Sequence, residues 1–520
     1  MQFIEGKDRA QMLLCWSLEQ SVGDDNEVRV IDAFVEGIDL ADFDFKIKTT
    51  IEGRPAYHPK DLLKLFVYGC MNRIRSSRQL ERECGRNIEV MWLLKELVPD
   101  HNTISNFRRD NADAIKQVFR LTVSIATNFD LIGGKLIAGD STKLRAQNSR
   151  KNNFNPKKLE RHLEYIDKKL DEYNKELETA DGDKKEAAKN EIEKQTERKV
   201  EYEAMQKQLK ESGDTQISTS DPESRLMITR NNITEVAYNV QTTVDAKHCL
   251  PIDYKVTNEN DSKAMGDMVV RAKEILKTNE LTALYDKGYH TGSELKTAQE
   301  LGVTTLVAIP APASNAPDER YNVAHFIYNE TDDCYTCPQG KSLTSTGTVY
   351  TKGKKRPTPT VFFQYRNAKA CKSCPVRSLC TNNKSGRIIE RNLHTPYYEQ
   401  NARNIAANKE LYKKRQSIVE HPYGTIKRQW GFCHILTKKG KQRASADVGL
   451  MFIAYNLRRI INIIGKNALM QYLGALALLF FRKTTFAKRI ISKMRIQNFI
   501  TDFAASIFAL RSYRFKIGYI

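Results

Sequence analysis

Twice along this chain a short apolar run closes on an aspartate. Lys135-Leu-Ile-Ala-Gly139 stops at Asp140, and Leu281-Thr-Ala-Leu-Tyr285 stops at Asp286. Runs of this length read as buried strands. Glu235 to Val244 and Leu250 to Val256 read as a β-hairpin turning near Asp245, Ala264 to Leu276 has helical spacing, and Thr304 to Ile309 is another buried strand. Strands interleaved with helices predict a mixed α/β sheet. A carboxylate at a strand's end, where the backbone leaves the sheet, faces solvent and a ligand. Two distant aspartates thereby become candidates for one site.

The other segments differ in pattern. Residues 1–130 read as a helical domain, with Leu62, Leu63, Leu65, Phe66 and Val67 as its buried run. Within it, Pro99-Asp100 turns into a helix that Asn102 or Thr103 would cap, with Ser105, Arg108 and Arg109 on its outer face. A short helix after a turn, displaying a hydroxyl and arginines, suits a DNA groove; an ordinary capped helix of a bundle is the plainer alternative. Residues 155–211 read as an antiparallel helical hairpin inserted between the first strand and the rest of the sheet. Leu159, Leu163, Ile166, Leu170, Tyr173 and Leu177 form a heptad seam, with Ile192, Val200, Met205 and Leu209 on the return helix. Residues 131–466 are expected to hold the sheet, and 467–520 a basic amphipathic tail.

Length and charge narrow the class. A chain of 520 residues exceeds one ordinary core. Its 83 Lys+Arg against 63 Asp+Glu leave a net charge of +20, which favours a polyanionic partner. The start, MQFIEGKDRA, lacks the pattern of a signal peptide, so a cytoplasmic location is expected. The most apolar stretch, Ala468 to Phe481, is interrupted by Gln471 and is shorter than the ~20 residues of a membrane span.

Five of the ten cysteines crowd between Cys334 and Cys380. Cys334-x2-Cys337 followed by Cys371-x2-Cys374-x5-Cys380 offers five thiols for the four places of a tetrahedral zinc. Cys337, Cys371, Cys374 and Cys380 are chosen, because Pro338 and Gly340 build a tight turn beside Cys337; Cys334 is the reserve. The cysteine-rich insertion is placed at residues 330–385. Its loop Lys352 to Arg356 is either a phosphate contact or a solvated turn. Cys15, Cys70, Cys84, Cys249 and Cys433 read as isolated core residues.

A third acid, Glu420, lies in a segment with Tyr412, Arg415, Lys427, Arg428, Trp430 and Phe432. Pro422 kinks this helix or marks a new start. Three converging carboxylates would repel one another unless cations sat between them. Hard oxygen ligands select magnesium or manganese, and two such ions clamp an in-line phosphoryl displacement. Tyr412, Arg415, Lys427 and Arg428 would contact phosphates, and Trp430 is a weak candidate for base stacking against its plainer reading as a core aromatic.

The order Tyr412…Arg415…Glu420…Lys427 resembles the tyrosine-arginine-glutamate-lysine signature of bacterial insertion-sequence DDE transposases. Ala138-Gly-Asp140-Ser-Thr-Lys resembles their first-aspartate motif and Tyr285-Asp286-Lys-Gly-Tyr289 the second. Arg54-Pro-Ala-Tyr-His-Pro-Lys-Asp, Ser76-Ser-Arg-Gln-Leu and Pro99 to Arg108 resemble their N-terminal helical domain, and Tyr455-Asn-Leu-Arg-Arg459 is also typical. One departure is the four residues between Arg415 and Glu420, where three are commonest. The resemblance, over roughly residues 50–465, implies a ribonuclease H-like mixed sheet with helices, beside an N-terminal all-α domain, a helical-hairpin insertion and a small zinc-type insertion. It also implies a DDE triad of Asp140, Asp286 and Glu420 with two magnesium (or manganese) ions. Its partner would be double-stranded DNA, as transposon ends and target, bound by a homodimer at the nucleoid, with cleavage and strand transfer as the reaction. The rival is a non-catalytic DNA-binding protein using the helical domain and zinc module.

Overall fold

The computed structural model describes residues 17–46, 55–179, 181–229, 233–311, 316–352, 360–437 and 439–483. The basic tail beyond residue 483 and most of the loop Lys352 to Arg356 lie outside the described residues, as does Cys15. The chain divides into two compact units, Met1–Thr122 with Gln442–Ile520, and Val123–Lys441.

The first unit begins with α1 (Leu18–Ser21), α2 (Glu27–Glu36), α3 (Pro59–Met71), α4 (Ser77–Cys84), α5 (Ile88–Leu94) and α6 (His101–Asp110), and it takes in the first part of α7 (Ala112–Asn128). Each start has a local cause. Asn26 and Asn87 accept backbone N–H bonds at the first turns of α2 and α5, and Pro59 opens α3, where a missing N–H costs nothing. Buried Leu63, Leu65, Phe66 and Val67 make α3 a core helix, as the sequence predicts.

In the second unit β1 (Leu136–Arg145) leads to a two-residue strand β2 (Asn153–Phe154), then helices α8 (Pro156–Thr179) and α9 (Asp183–Ser212), and β3 (Ile217–Ser218). β2 pairs with β3 and clasps the base of the helical hairpin. Leu159, Ile166, Ala188, Gln195 and Leu209 are buried along the seam, whereas Val200, expected inside, is exposed. Heptad spacing from Ala188 through Gln195 to Leu209 puts Val200 on the outer side.

The central sheet continues with β4 (Arg225–Ile228), β5 (Thr234–Asp245), β6 (Leu250–Thr257), then α10 (Met265–Leu276), β7 (Leu281–Tyr285), α11 (Gly292–Glu300) and β8 (Val303–Val307). β1, β5 and β6 form an antiparallel meander; β7 adds parallel to β1 on its other side, and β8 parallel to β7. The order β6-β5-β1-β7-β8, with β4 also on β5, is the ribonuclease H-like arrangement of a mixed sheet.

The insertion is a five-stranded antiparallel sheet: β9 (Ile327–Asn329), β10 (Cys334–Thr336), β11 (Ser342–Lys352), β12 (Thr360–Arg366) and β13 (Ile388–Asn392), paired in sequence order. Short helices α12 (Ala368–Lys372) and α13 (Arg377–Cys380) lie between β12 and β13. After it come α14 (Thr395–Ala407) and α15 (Lys409–Tyr423), still in the second unit. From Gln442, α16 (Lys441–Ile464) and α17 (Lys466–Lys483) cluster with the first unit. That differs from the expected boundary at residue 466. The physical reason is that α16 buries nearly its whole surface from Ala444 to Ile461, including Asp447, which pairs with Arg75 and Arg108. Among the described residues no single helix is long and apolar enough to cross a membrane.

Candidate active site

Asp286 follows the end of β7, but Asp140 does not end its strand as the sequence suggests: β1 continues to Arg145, because Thr142, Leu144 and their neighbours stay paired with β5, and only the β7 pairing stops at Ala138. β1 and β7 are adjacent and parallel, with Ala138 opposite Leu284, so each aspartate stands two residues beyond that pair. Burial pushes the Asp140 carboxyl above its ordinary pKa, with the charges of Asp286 and Asp261 adding to the rise; the Ser141 N–H and Arg415 oppose it. The Ser141 N–H donates to Asp140 Oδ1 at 2.7 Å, and the Gly288 N–H to Asp286 Oδ1 at 2.8 Å. Close packing under the site depends on Gly139: a Cβ there would overlap the Tyr285 ring.

Helix α15 packs on this face of the sheet. Ile418 and Val419 join Ala138, Val244, Leu284 and Leu306 in one apolar cluster. On the same helix face, Tyr412 donates its hydroxyl to the Tyr285 carbonyl and Tyr423 to the Asp140 carbonyl, both at 3.2 Å. Arg415 reaches Asp140 Oδ2 at 3.4 Å. The helix runs through Pro422, whose ring nitrogen cannot serve the Ile418 carbonyl, and the widened π-helical turn Gly424–Gln429 follows at once. Lys427 then donates to Thr142 Oγ1 at 2.8 Å and ties that turn to β1.

Glu420 is placed differently. One residue beyond Val419, it is turned about 100° around the helix from the core-facing side. Its side chain is exposed and accepts from Gln416 at 2.9 Å. The structure thus sets Asp140 and Asp286 on neighbouring strands and carries Glu420 on the helix packed over them, with its carboxylate exposed and bonded to Gln416. Among the described residues no three Asp, Glu, His or Cys side chains stand close enough to hold a metal ion. The donor set of the two aspartates nevertheless suits a hard cation. Two half-buried carboxylates within range of each other's charge require a positive neighbour, and Arg415 supplies one.

A further carboxylate belongs to this neighbourhood. Asp261, like Asp447, follows no apolar strand, so local pattern ranks both below Asp140 and Asp286 as carboxylate candidates. Burial pushes the Asp261 pKa up, but hydrogen bonds from Asn239, Lys143 and Ser141 and the Lys143 charge outweigh that and hold it below the ordinary value. Asp447, the other lower-ranked acid, lies in the helical unit as a structural counterion.

Two expected DNA contacts are corrected. Arg108 is 4% exposed and pairs with Asp447 Oδ1 at 3.0 Å, because it shares the inward stripe of α6 with Ile104 and Phe107. Trp430 is 5% exposed and packs edge-on against buried Phe432, so its face is not offered to a base. Ser105 is half-buried and Arg109 exposed beside Asp110; Arg428 is exposed. The cap of α6 is Asp100, which accepts from the N–H groups of Asn102 and Thr103, the two residues expected from sequence to cap it.

In the insertion, Cys337, Cys371, Cys374 and Cys380 all line one small cavity of about 30 Å³. Cys334 is buried in β10 and is not among the lining residues. The Lys341 N–H donates to Cys337 Sγ at 3.3 Å, across a turn in which Gly340 takes φ +70°. Gly386, at φ +85°, lets its loop approach Cys371, where a Cβ would come within 2.6 Å of the Cys371 Cβ. Burial and the three neighbouring thiols push the Cys380 thiol up. Of the cysteines expected in cores, Cys70 and Cys84 are buried, Cys249 is half-buried and Cys433 is exposed.

Residues 16–110 match a family described as a transposase domain (DUF772), and residues 336–461 match one described as a transposase DDE domain. No curated protein matches the chain. Among solved structures, the cryo-EM synaptic complex of piggyBac transposase with hairpin DNA is similar at 10% identity. That likeness covers 91% of this chain and 86% of that one, at a TM-score of 0.28, too loose to carry an argument.

Proposed function

We propose that this chain, a DDE transposase by the two transposase domains it carries, cuts the ends of a mobile DNA element and joins them to target DNA. The observation that carries this reading is the placement of Asp140 and Asp286 at matching positions on adjacent parallel strands of a ribonuclease H-like sheet, each two residues beyond the last residues paired between them, Ala138 and Leu284. Asp140 and Asp286 would hold magnesium or manganese, with Glu420 as the third carboxylate from α15. Such ions, when bound, polarise the scissile phosphate and lower the pKa of an attacking water.

The chain's own groups do the rest. The Ser141 and Gly288 N–H bonds fix Oδ1 of each aspartate; Asp140 Oδ2, which faces Arg415, and Asp286 Oδ2 would hold the ion. Arg415 stands where positive charge is needed and would move to a phosphate oxygen once Asp140 has another counterion. Tyr412 and Tyr423, bonded to backbone carbonyls of β7 and β1, hold α15 over the site. Exposed Arg109 and Arg428 offer charge to the DNA backbone, and a homodimer would pair two ends at the nucleoid. Cys337, Cys371, Cys374 and Cys380, which line one cavity but do not stand at ligating distance from one another, would have to draw together to hold a structural zinc.

The test is magnesium-dependent nicking of DNA carrying the element's own ends. Wild type should cut, and Asp286→Ala should lose at least ~100-fold in rate, as removal of a metal ligand does. Equal cleavage by both would sink the assignment and leave the non-catalytic DNA-binding reading.

A further inference from the structure

We propose that Asp261 is a positioning residue of the carboxylate site, acting through Lys143 and Ser141 on Asp140. The inference rests on the reading that Asp140 and Asp286 hold a divalent ion. The antiparallel register of β1 and β5 sets Ser141 opposite Gln241 and Lys143 opposite Asn239, so four polar side chains share one face of that pair. Asp261, in a 3-10 turn (Asp261–Lys263) shortly after β6, caps all four. Its Oδ1 accepts from Asn239 Nδ2 at 2.7 Å and from Gln241 Nε2 at 2.8 Å, and its Oδ2 accepts from Lys143 Nζ at 2.9 Å. Lys143 Nζ in turn donates to Ser141 Oγ at 2.8 Å, and Ser141 is the residue whose N–H holds Asp140 Oδ1.

The second aspartate is tied to the same group. Tyr289, fully buried, donates to Gln241 Oε1 at 2.6 Å and so fixes the turn that Asp286 opens. Both oxygens of Asp261 are already engaged, one of them by a cation. Three side-chain donors hold Asp261, against one backbone N–H and one longer Arg415 contact at Asp140, and this assigns Asp261 the orienting role. Groups that orient metal ligands typically contribute about 10- to 100-fold in metal affinity.

The test uses the full chain and Mn2+ binding followed by electron paramagnetic resonance. Asp261→Ala and Lys143→Met should each weaken binding about ten-fold. The double variant should be no weaker than either single one, because both break one chain of contacts. Lys143→Arg, which keeps a charged donor, should bind as wild type does. Wild-type affinity in Asp261→Ala, or additive loss in the double variant, would overturn the proposal.

A second readout needs no metal. Acylation of the Lys143 amine, followed by mass spectrometry, should run several-fold faster in Asp261→Ala than in wild type; equal rates would also overturn it. Asp286→Ala separates the two claims. It should lose Mn2+ while Lys143 stays protected, and retained Mn2+ binding there would count against the metal reading, not against Asp261.

Discussion

Arg108 carries the same charge as Arg109 one position along α6, yet burial gives the two different work. Arg108 and Arg75 share Asp447 inside the helical unit, and the Arg108 guanidinium also lies 5.4 Å from the centre of the Phe66 ring. Removing that carboxylate leaves two buried cations without it, so Asp447→Ala should cost about 3–5 kcal/mol, read as a lower urea midpoint for unfolding. Lys64 makes the same point on α3. It is fully buried amid the apolar run and bonds Asp32 and Glu36 of α2, each at 2.6 Å. Burial alone would lower its pKa, but the two carboxylates raise it above the ordinary value. A raised lysine stabilises the fold at pH values below its unfolded pKa of ~10.4, and that contribution is lost as pH rises through the folded value. Thermal melting should therefore fall steeply above about pH 10.4, and Lys64→Met should flatten that arm.

The elements were legible where period and punctuation agree. The strand ending before Asp286, the β5–β6 hairpin and the α8–α9 hairpin all follow from spacing and turn residues; β1 was legible up to Asp140, but its continuation to Arg145 was not, because Ser141 to Lys143 are polar and are held by pairing with β5. Three things did not follow. Asp261 depends on cross-strand register, which no local pattern encodes. The inward turn of Arg108 was available in the Ile104–Phe107–Arg108 spacing but is masked by a charge that usually faces water. The continuation of α15 through Pro422 relies on the π-helical turn behind it, a tertiary accommodation of a residue that normally ends a helix. At this scale Gly139→Ala is the sharp test of strand packing. Its methyl would overlap the Tyr285 ring, so the variant should lose about 1–3 kcal/mol of stability and disturb both aspartates, measured by thermal melting. In the insertion, Cys371→Ser should lower bound zinc measured by mass spectrometry, and Cys334→Ser should leave it unchanged, since only the former residue lines the thiol cavity.

For the whole molecule, the net charge of +20 now divides by location. Some of it is spent inside, as Lys64, Arg75 and Arg108, and cannot meet a polyanion. Exposed residues such as Arg109 and Arg428 keep the long-range attraction, which should weaken DNA binding steeply with added salt. The central claim concerns two interior strands: on this account the neighbouring parallel strands β1 and β7 place Asp140 and Asp286 around a shared divalent ion. The direct measurement is cleavage of the polypeptide by hydroxyl radicals generated at Fe2+ bound in place of magnesium. The account predicts cuts clustered around residues 140 and 286 that excess magnesium suppresses, with a further cut near 420 if α15 brings Glu420 to the ion. Cuts confined to other segments, or cuts that magnesium does not suppress, would contradict it.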